Sequence, residues 1–475
     1  MERGEIEAVV AGGADAVAAV IARLEARIAE LEERLGANSR NSSRPPSSDG
    51  YAKPRADSKK HSLRRSSGRS QGGQDGHEGA HLECVAVPDE RVGHLPERCG
   101  GCGGDLAGSE QLEGGESRQV FDLPEDICLR VLEHVALRRR CGCGHITAGL
   151  FPAGVAAPAQ YGQRLRAFGV YLVVHQHVPY ERACQLLEDL TGARISTATV
   201  KAWVDQAADG LADFTSQLQR LLRAAPVVHF DETGGRMEGV LGWIHCASTG
   251  RFTLYSAHAK RGCGGIDAAG VLSSFQGVAM HDGWAPYRSY IKASHALCGA
   301  HHLRELLAAE EAGEMWASGM TALLLDAKHA VAEARVAGSE RLAKDILSEL
   351  HDSYREVIAS GYEENPVLRI QCAGRQPKRT KAQNLLLRLD EREAQALRFA
   401  HDFRVPFDNN LCERDLRMVK LQQKISGCWR TRDGARRFLT VRSYTSTARK
   451  HGHRPLAVLA GLLAGDPWLP APGPI

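Results

Sequence analysis

Two aspartates lie where carboxylates could share a divalent metal ion. Asp231 comes just after an apolar run at residues 227–230, and Asp282 comes just after another at 277–280. Each run has the length and apolar character of a buried β-strand. Ligands of an α/β sheet bind in the crevice beyond the ends of adjacent strands. The spacing therefore predicts two carboxylates at one edge of a sheet, where their hard oxygen atoms would bind Mg²⁺ or Mn²⁺.

A third acid, Glu413, is predicted to lie on a helix. Three cationic residues follow it at helical spacing and share its face: Arg417, Lys420 and Lys424. Three such acids suit an in-line displacement at phosphorus, in which two metal ions activate the attacking oxygen and stabilise the leaving oxygen. The row of cations would then extend towards an anionic substrate.

The positive charge of the chain is concentrated in short segments. The net charge is only +3, from 60 Lys and Arg against 57 Asp and Glu. Residues 414–454, however, hold twelve Lys and Arg, including Arg430, against two Asp, a local charge of +10. Three aromatic residues are interleaved with them: Trp429, Phe438 and Tyr444. This composition is typical of a DNA track, with a solvated basic face as the alternative.

The N-terminal segment combines a predicted dimerisation helix with a basic arm. Apolar residues recur 3 and 4 positions apart between Val17 and Leu35. This spacing predicts a short coiled coil, although an amphipathic helix packed on its own domain would show the same pattern. Residues 38–73 are rich in serine and carry a local charge of +7. Such a segment cannot bury a core, and it serves either to bind DNA phosphates or as a solubilising tether.

Two cysteine pairs predict a structural zinc ion. Cys99 and Cys102 form a C-x-x-C pair, and Cys141 and Cys143 form a C-x-C pair. Four thiolates in two glycine-flanked pairs suit a tetrahedral zinc site, with His145 as a substitute for one thiolate. Two unrelated buried pairs are the alternative. The chain lacks a signal-peptide pattern and a membrane-spanning apolar run, which predicts a cytoplasmic, nucleoid-associated protein whose thiols stay reduced.

Residues 180–204 have the outline of a helix-turn-helix unit. A predicted helix ends at a turn around Gly192, and Ser196 is a good N-cap for a second helix. Near the start of the second helix, where such units read base edges, lie three polar residues: Thr197, Thr199 and Lys201. A helical hairpin that only packs against the rest of the protein would show the same pattern.

From residue 227 onward the pattern predicts a ribonuclease-H-like α/β core. Strands at 227–230, 241–247 and 251–257 precede a helix at 266–275 and strands at 277–280 and 294–297. The expected order is β-β-β-α-β-α-β-α, which gives a mixed sheet. The full set of predicted domains is a coiled coil at 1–37, a basic linker at 38–75, a zinc-binding domain at 76–155, a helix-turn-helix-like domain at 156–222, the first part of the core at 223–303, a helical insertion at 304–400, the second part of the core at 401–455 and a tail at 456–475.

The chain resembles a known family, the DDE transposases of the insertion sequence sixty-six type. Strings that carry the resemblance include residues 35–49, Asp231-Glu232-Thr233, Asp282-Gly283-Trp284, Cys298-x-x-His301-x-x-Arg304 and Asp408-Asn409-Asn410-x-x-Glu413-Arg414. The resemblance implies that Asp231, Asp282 and Glu413 are the catalytic triad. Supporting residues on the same strings are Asn409, Asn410, Cys298, His301 and Arg304. For Cys298 and His301, a buried thiol and a histidine at a helix start are the alternative.

The resemblance implies a Mg²⁺-dependent enzyme that binds terminal inverted repeats, cuts the element ends and joins the 3′-hydroxyl to target DNA. It also implies a zinc-binding domain near residue 100 and small accessory proteins of the element as partners. Because transposases pair two ends, a homodimer or larger synaptic assembly is expected. Two alternatives are a zinc and helix-turn-helix DNA-binding protein with an inactive ribonuclease-H-like domain, and a nuclease or resolvase without strand transfer.

Overall fold

The computed structural model describes residues 84–110, 117–122, 127–366 and 379–471, with a few helical residues between positions 11 and 28. The predicted linker lies outside these ranges, and so does most of the predicted coiled coil. The chain forms two compact units, a smaller one of residues 52–129 and a larger one of residues 1–51 and 130–475. Within the described ranges, no helix is both long enough and apolar enough to cross a membrane.

Four helices lie between residues 163 and 224, directly before the main sheet. They are α1 (Gln163–Val170), which continues as a π-helical segment (Tyr171–His175), α2 (Tyr180–Thr191), α3 (Thr197–Asp209) and α4 (Ala212–Ala224). α2 ends where Gly192 adopts a left-handed φ of 70°, and Ser196 caps α3 by accepting a hydrogen bond from the Thr199 N–H. The helices and the cap are as predicted, whereas a DNA-binding role of this unit stays a prediction.

Two sheets lie in the described part of the larger unit. β1 (Arg138–Arg140) and β2 (Ile146–Ala148) form an antiparallel hairpin. The main sheet consists of β3 (Val227–Met237), β4 (Val240–Ser248), β5 (Thr253–His258), β6 (Val278–His281) and β7 (Ser294–Leu297). Its order is β5-β4-β3-β6-β7, with β3, β4 and β5 antiparallel and with β6 and β7 parallel to β3. The prediction of an α/β core with a mixed sheet is therefore confirmed.

The sheet differs from the prediction in two details. The first strand does not stop at Phe230 but continues to Met237, so Asp231 lies inside β3 and not beyond its end. The extension is stable because it pairs with β4 as a hairpin and because Met237 forms a bridge to Trp429. The other difference concerns the connections: a short helix, α5 (Cys263–Ala268), precedes β6, and the described chain between β6 and β7 forms only a 3₁₀ segment at Ala285–Ser289.

The helical insertion follows β7 and has its own hydrophobic core. Its helices are α6 (Gly299–Glu311), α7 (Met315–Val336), α8 (Lys344–Glu364), α9 (Lys381–Glu391), α10 (Glu393–Ala396) and α11 (Arg398–His401). Trp316, Tyr354 and Leu386 are buried in this core. The two ends of the insertion meet at the sheet, where the Gly299 N–H donates to the Phe407 carbonyl at 2.8 Å. Position 299 requires glycine, because the Phe407 ring occupies the space of a Cβ.

Three further helices return to the main sheet. They are α12 (Asn410–Ser426), α13 (Arg432–Lys450) and α14 (Pro455–Leu463). α12 packs on β3 and β4, and α13 packs on β5. A largely buried ion pair ties both helices to the sheet, because Lys450 Nζ lies 2.7 Å from Asp415 Oδ2, which also accepts hydrogen bonds from Ser248 and Thr253.

Candidate active site

The parallel pairing of β3 and β6 brings Asp231 and Asp282 to the same level of the sheet. His229 pairs with Met280 at the last position of that pairing. Each aspartate comes two residues later in its own segment, so the continued register sets one opposite the other. Asp231 is still paired with Cys246 of β4, whereas Asp282 has already left β6. The two carboxylates therefore belong to the crevice that opens where β3 and β6 part.

Asp231 lies in the field of other carboxylates. Burial raises the pKa of Asp231 well above its ordinary value of 3.8, and the charges of Glu232, Asp282 and Glu413 raise it further. The Glu232 N–H, which donates to Asp231 Oδ1 at 2.8 Å, opposes this effect. A carboxylate whose pKa is raised by neighbouring carboxylates favours a proton or a cation at its oxygen atoms. Asp231 is thus under the electrostatic influence of the two other predicted acids, Asp282 and Glu413, and the three form the acid cluster of the protein.

Asn409 holds the start of α12 against β3, one residue before Asp231. Its Nδ2 donates to the Phe230 carbonyl at 2.9 Å, and its Oδ1 lies 2.8 Å from His229 Nδ1. Burial lowers the pKa of His229, so the ring is neutral and its Nδ1 donates to the amide oxygen. The backbone N–H of Asn409 donates to Cys298 Sγ at 3.1 Å. Asn409 therefore fixes the position of the helix that carries the third acid.

Glu413 faces two residues of α6. Its Oε1 lies 3.8 Å from His301 Nδ1 and 3.8 Å from an Arg304 guanidinium nitrogen. Burial lowers the pKa of His301 to about 4, and the Arg304 charge lowers it as well. His301 is therefore neutral near pH 7, and Arg304 is the cation that faces Glu413 here. Asn410, by contrast, is exposed, and its backbone N–H donates to Asp408 Oδ1 at 3.1 Å.

Two residues that sequence reasoning missed bind the acid next to Asp231. Arg261 Nε and the Tyr287 hydroxyl donate to the two carboxylate oxygens of Glu232, at 2.8 and 2.6 Å. The Arg261 guanidinium also lies 4.0 Å from the ring centroid of Trp284, a cation–π contact that orders the arginine. Glu232 is thus engaged by the protein. The spacing of Arg261 and Tyr287 along the chain carries no signal of this contact.

A family model described as Transposase IS66 family matches residues 158–437, which is more than half of the chain. The chain belongs to this transposase family. Asp231, Asp282 and Glu413 all lie inside the matched span. A second model, of a family of unknown function (DUF6444), matches residues 2–83. None of the curated proteins matches the chain.

The transposase exposes most of the cations predicted to contact DNA on and after α12. Arg417, Lys424 and Arg430 are exposed. Lys420 is different, because its Nζ donates to the Gly234 carbonyl of β3 at 2.8 Å and burial lowers its pKa. Lys420 therefore helps to hold α12 against the sheet.

The expectation that aromatic residues line a DNA track beside these cations is wrong. Trp429, Phe438 and Tyr444 are at most 7% exposed and belong to the main core of the transposase. Arg442 is buried as well, and its guanidinium donates to the His175 carbonyl at 2.8 Å. The aromatic rings are packing residues of α13 and its approach, so the local charge of +10 overstates the cationic surface.

The residues predicted to read bases lie at the start of α3 in the transposase. Thr197 is exposed. Thr199 is half-buried, and its hydroxyl lies 2.8 Å from Ser196 Oγ within the helix cap. Lys201 is exposed and forms an ion pair with Asp205 at 2.5 Å. Thr197 and Lys201 are therefore the exposed side chains of the three, and Lys201 is paired with Asp205.

Each predicted zinc-ligand pair of the transposase lies on a tight turn. In the smaller unit, the backbone N–H of Cys102 is the main cause of a lowered pKa of Cys99. In the larger unit, Cys141 and Cys143 lie on the turn between β1 and β2, and the Cys143 N–H lowers the pKa of Cys141 in the same way. Backbone N–H groups directed at sulfur favour the thiolate that a zinc site needs. Zinc binding itself stays a prediction.

Proposed function

We propose that this transposase cuts phosphodiester bonds at the ends of its element and joins the 3′-hydroxyl to target DNA, with Asp231, Asp282 and Glu413 as the catalytic acids. One observation carries the proposal: the charges of Asp282 and Glu413 raise the pKa of Asp231, which lies at the place where β3 and β6 part. The strand order, with an antiparallel meander followed by two parallel strands, supports the ribonuclease-H-like assignment.

The chemistry of the donor set fits Mg²⁺ or Mn²⁺. Carboxylate oxygens are hard ligands, and their mutual repulsion is relieved by a divalent cation. Asp231, Asp282 and Glu413 would hold the ions, whereas Glu232 is occupied by Arg261 and Tyr287. Bound there, two ions would activate the attacking oxygen and stabilise the leaving oxygen.

The surrounding residues of the chain position the acids and the DNA. Asn409 sets α12 relative to β3. Arg304 lies 3.8 Å from Glu413, and its planar guanidinium suits a DNA phosphate once the carboxylate turns to a cation. Exposed cations beside the site, Arg417, Lys424 and Arg430, would bind the DNA backbone.

The remaining parts of the chain would recognise and pair the element ends. We assign terminal-repeat binding to the N-terminal half, including the basic arm and Thr197, Thr199 and Lys201 of α3. The two cysteine pairs would bind structural Zn²⁺. The active assembly would be a homodimer or a larger synaptic complex, with small accessory proteins of the element as further partners.

The Glu413→Gln variant tests the assignment of the third acid. Loss of the carboxylate should abolish end cleavage and strand transfer while leaving end binding intact, because the amide has the same shape. Glu310→Gln, which changes an exposed glutamate of α6, is the matched control and should behave as the wild type. Both variants are assayed on element-end DNA with Mg²⁺ and with Mn²⁺, and binding is measured separately.

If the Glu413→Gln variant still carries out strand transfer, Glu413 is not the third catalytic acid. The wild type could instead bind element ends tightly and fail to cleave them in both Mg²⁺ and Mn²⁺. That result would favour the alternative of a DNA-binding protein with an inactive core. Cleavage without joining would favour a nuclease.

A further inference from the structure

Glu413 belongs to a second set of metal-ligating groups besides the acid cluster. Cys298 precedes α6, His301 lies in the first turn of α6, and Glu413 lies in the first turn of α12. One ligand atom from each of these residues lies within 4.8 Å of the other two. No other group of three such residues forms a comparable set among the described ranges.

The backbone prepares Cys298 to act as a thiolate ligand. Its sulfur is buried and accepts a hydrogen bond from the Asn409 N–H at 3.1 Å. The His301 N–H also favours the charged form of this thiol, but burial outweighs both N–H groups and raises the pKa of Cys298 to about 12. A cation that replaces the thiol proton would remove the cost of burying the charge, and the two N–H groups would stay as supports for the sulfur.

His301 supplies a ring nitrogen that is available for a cation. Its Nδ1 is inaccessible to solvent and has no hydrogen-bond partner in the described part of the chain. The ring is neutral, as a ligand must be. The nearest acidic oxygen, Glu413 Oε1, is 3.8 Å away, which is too long for a hydrogen bond. A cation between the ring nitrogen, the sulfur and the carboxylate would satisfy all three.

The donor types distinguish this set from the acid cluster. Mg²⁺ prefers oxygen ligands and octahedral geometry, whereas one sulfur, one nitrogen and one oxygen suit tetrahedral Zn²⁺ with a water molecule in the fourth position. Arg304 opposes any cation here, because it lies 3.8 Å from Glu413 Oε1. Arg304 would have to move away from the carboxylate, and because its side chain is 24% exposed, a DNA phosphate is an alternative partner.

We propose that Cys298, His301 and Glu413 bind Zn²⁺, and that this ion withdraws Glu413 from the acid cluster and so inhibits the transposase. Binding of Zn²⁺ forms a sulfur–metal bond, breaks the S–H bond of Cys298 and releases that proton to solvent. The binding step rests on the geometry alone. The inhibition rests, in addition, on the proposed function of Glu413.

Cobalt(II) is the probe for the binding step, because a thiolate ligand gives it a charge-transfer absorption band. The full-length, metal-free wild type and the Cys298→Ser variant are titrated with Co²⁺. Both proteins should show the absorption of Co²⁺ bound at the other cysteine pairs. The wild type should bind one more thiolate-linked Co²⁺ ion per chain than the Cys298→Ser variant. Cys263→Ser, which changes an exposed cysteine outside the set, is the matched control and should titrate as the wild type.

A second variant guards against a folding defect of the first. His301→Gln keeps the thiol and should weaken binding of this ion at least about 10–100-fold, the loss typical even of outer partners of metal sites. Circular dichroism of each variant checks the fold. If wild type, Cys298→Ser and His301→Gln take up Co²⁺ with equal stoichiometry and affinity, the site does not exist.

The inhibition is tested by adding Zn²⁺ to end cleavage in Mg²⁺. Each protein is compared with its own rate in Mg²⁺ alone, and half-inhibition of the His301→Gln variant should need about 10–100 times more Zn²⁺ than that of the wild type. Equal sensitivity of the two would overturn the inhibitory role. If the wild type does not cleave DNA at all, the proposed function fails, and the Co²⁺ titration still decides whether the site binds metal.

Discussion

Replacement of Asn409 by alanine should both destabilise the protein and slow DNA cleavage. The side chain is 1% exposed and is the partner of two buried groups, the Phe230 carbonyl and His229 Nδ1. Each buried group left without a partner costs about 1–3 kcal/mol. A water molecule can enter the polar space that the side chain vacates, so we expect the lower part of the combined range, a loss of about 2–4 kcal/mol.

Loss of this contact also frees the first turn of α12 from β3. The distance between Asp231 and Glu413 would then no longer be fixed, and displacement of a catalytic group by about 1 Å can reduce the rate on the order of 10²-fold. Stability is measured by urea unfolding followed by circular dichroism. Cleavage is measured in single-turnover reactions at a temperature where the variant is fully folded.

Asn410→Ala is the matched control for Asn409→Ala. The neighbouring asparagine is exposed, so its loss should change the free energy of unfolding by no more than about 0.5 kcal/mol. Equal stability of the two variants would refute the reasoning from buried partners. A destabilised Asn409→Ala protein that cleaves at the wild-type rate would show that Asn409 does not position the acids.

Two further predictions concern charge. Because the folded pKa of Asp231 is raised above its ordinary value of 3.8, its contribution to stability is present below that value and is lost as the pH rises through the folded pKa. With a chelator present, the Asp231→Asn variant should therefore be more stable than the wild type at neutral pH, and this difference should vanish towards pH 4. Thermal unfolding of both proteins across this pH range measures the difference. An Asp231→Asn variant that is less stable than the wild type at neutral pH would contradict the prediction. For DNA binding, Arg417→Ala should reduce the slope of log K against log salt concentration by about 0.9, the value for one phosphate contact. The buried Arg442 serves as the comparison, since Arg442→Ala should lower stability and leave the slope unchanged; equal slopes for Arg417→Ala and the wild type would exclude that contact.

The neighbouring positions of Asp231 and Asp282 in the sheet could be predicted from the sequence, whereas their catalytic role stays a prediction. Asp231 and Asp282 each follow an apolar run, and the parallel pairing of two such runs makes their next residues neighbours. The continuation of β3 beyond Phe230 could not be predicted. Its residues, including Gly234 and Gly235, lack an apolar alternation, and part of the extension is stabilised by Trp429, which is remote in sequence.

The burial of the aromatic residues of α13 could have been predicted from their spacing, but the basic composition of the segment favoured another interpretation. Phe438, Val441, Tyr444 and Ala448 recur 3 and 4 residues apart and are all buried, which is the pattern of a helix packed on a core. The density of arginine and lysine around them favoured a DNA track instead. The contact of Arg261 and Tyr287 with Glu232 is a different case, because only the folded loops bring these residues together.

The hydrogen bond between Gly299 and Phe407 holds the first and last residues of the helical insertion side by side at the main sheet. The helix α12, which carries Glu413, begins at Asn410, shortly after Phe407. When the ends of a segment are already held, doubling its length adds only about 0.6 kcal/mol of closure entropy. The helices of the insertion beyond α6 could therefore lengthen, shorten or be exchanged during evolution while the acid cluster, and the residues of α6 that face Glu413, kept their places. With this architecture, the transposase of a mobile element can gain new surface residues in the insertion while the arrangement of its acids stays the same.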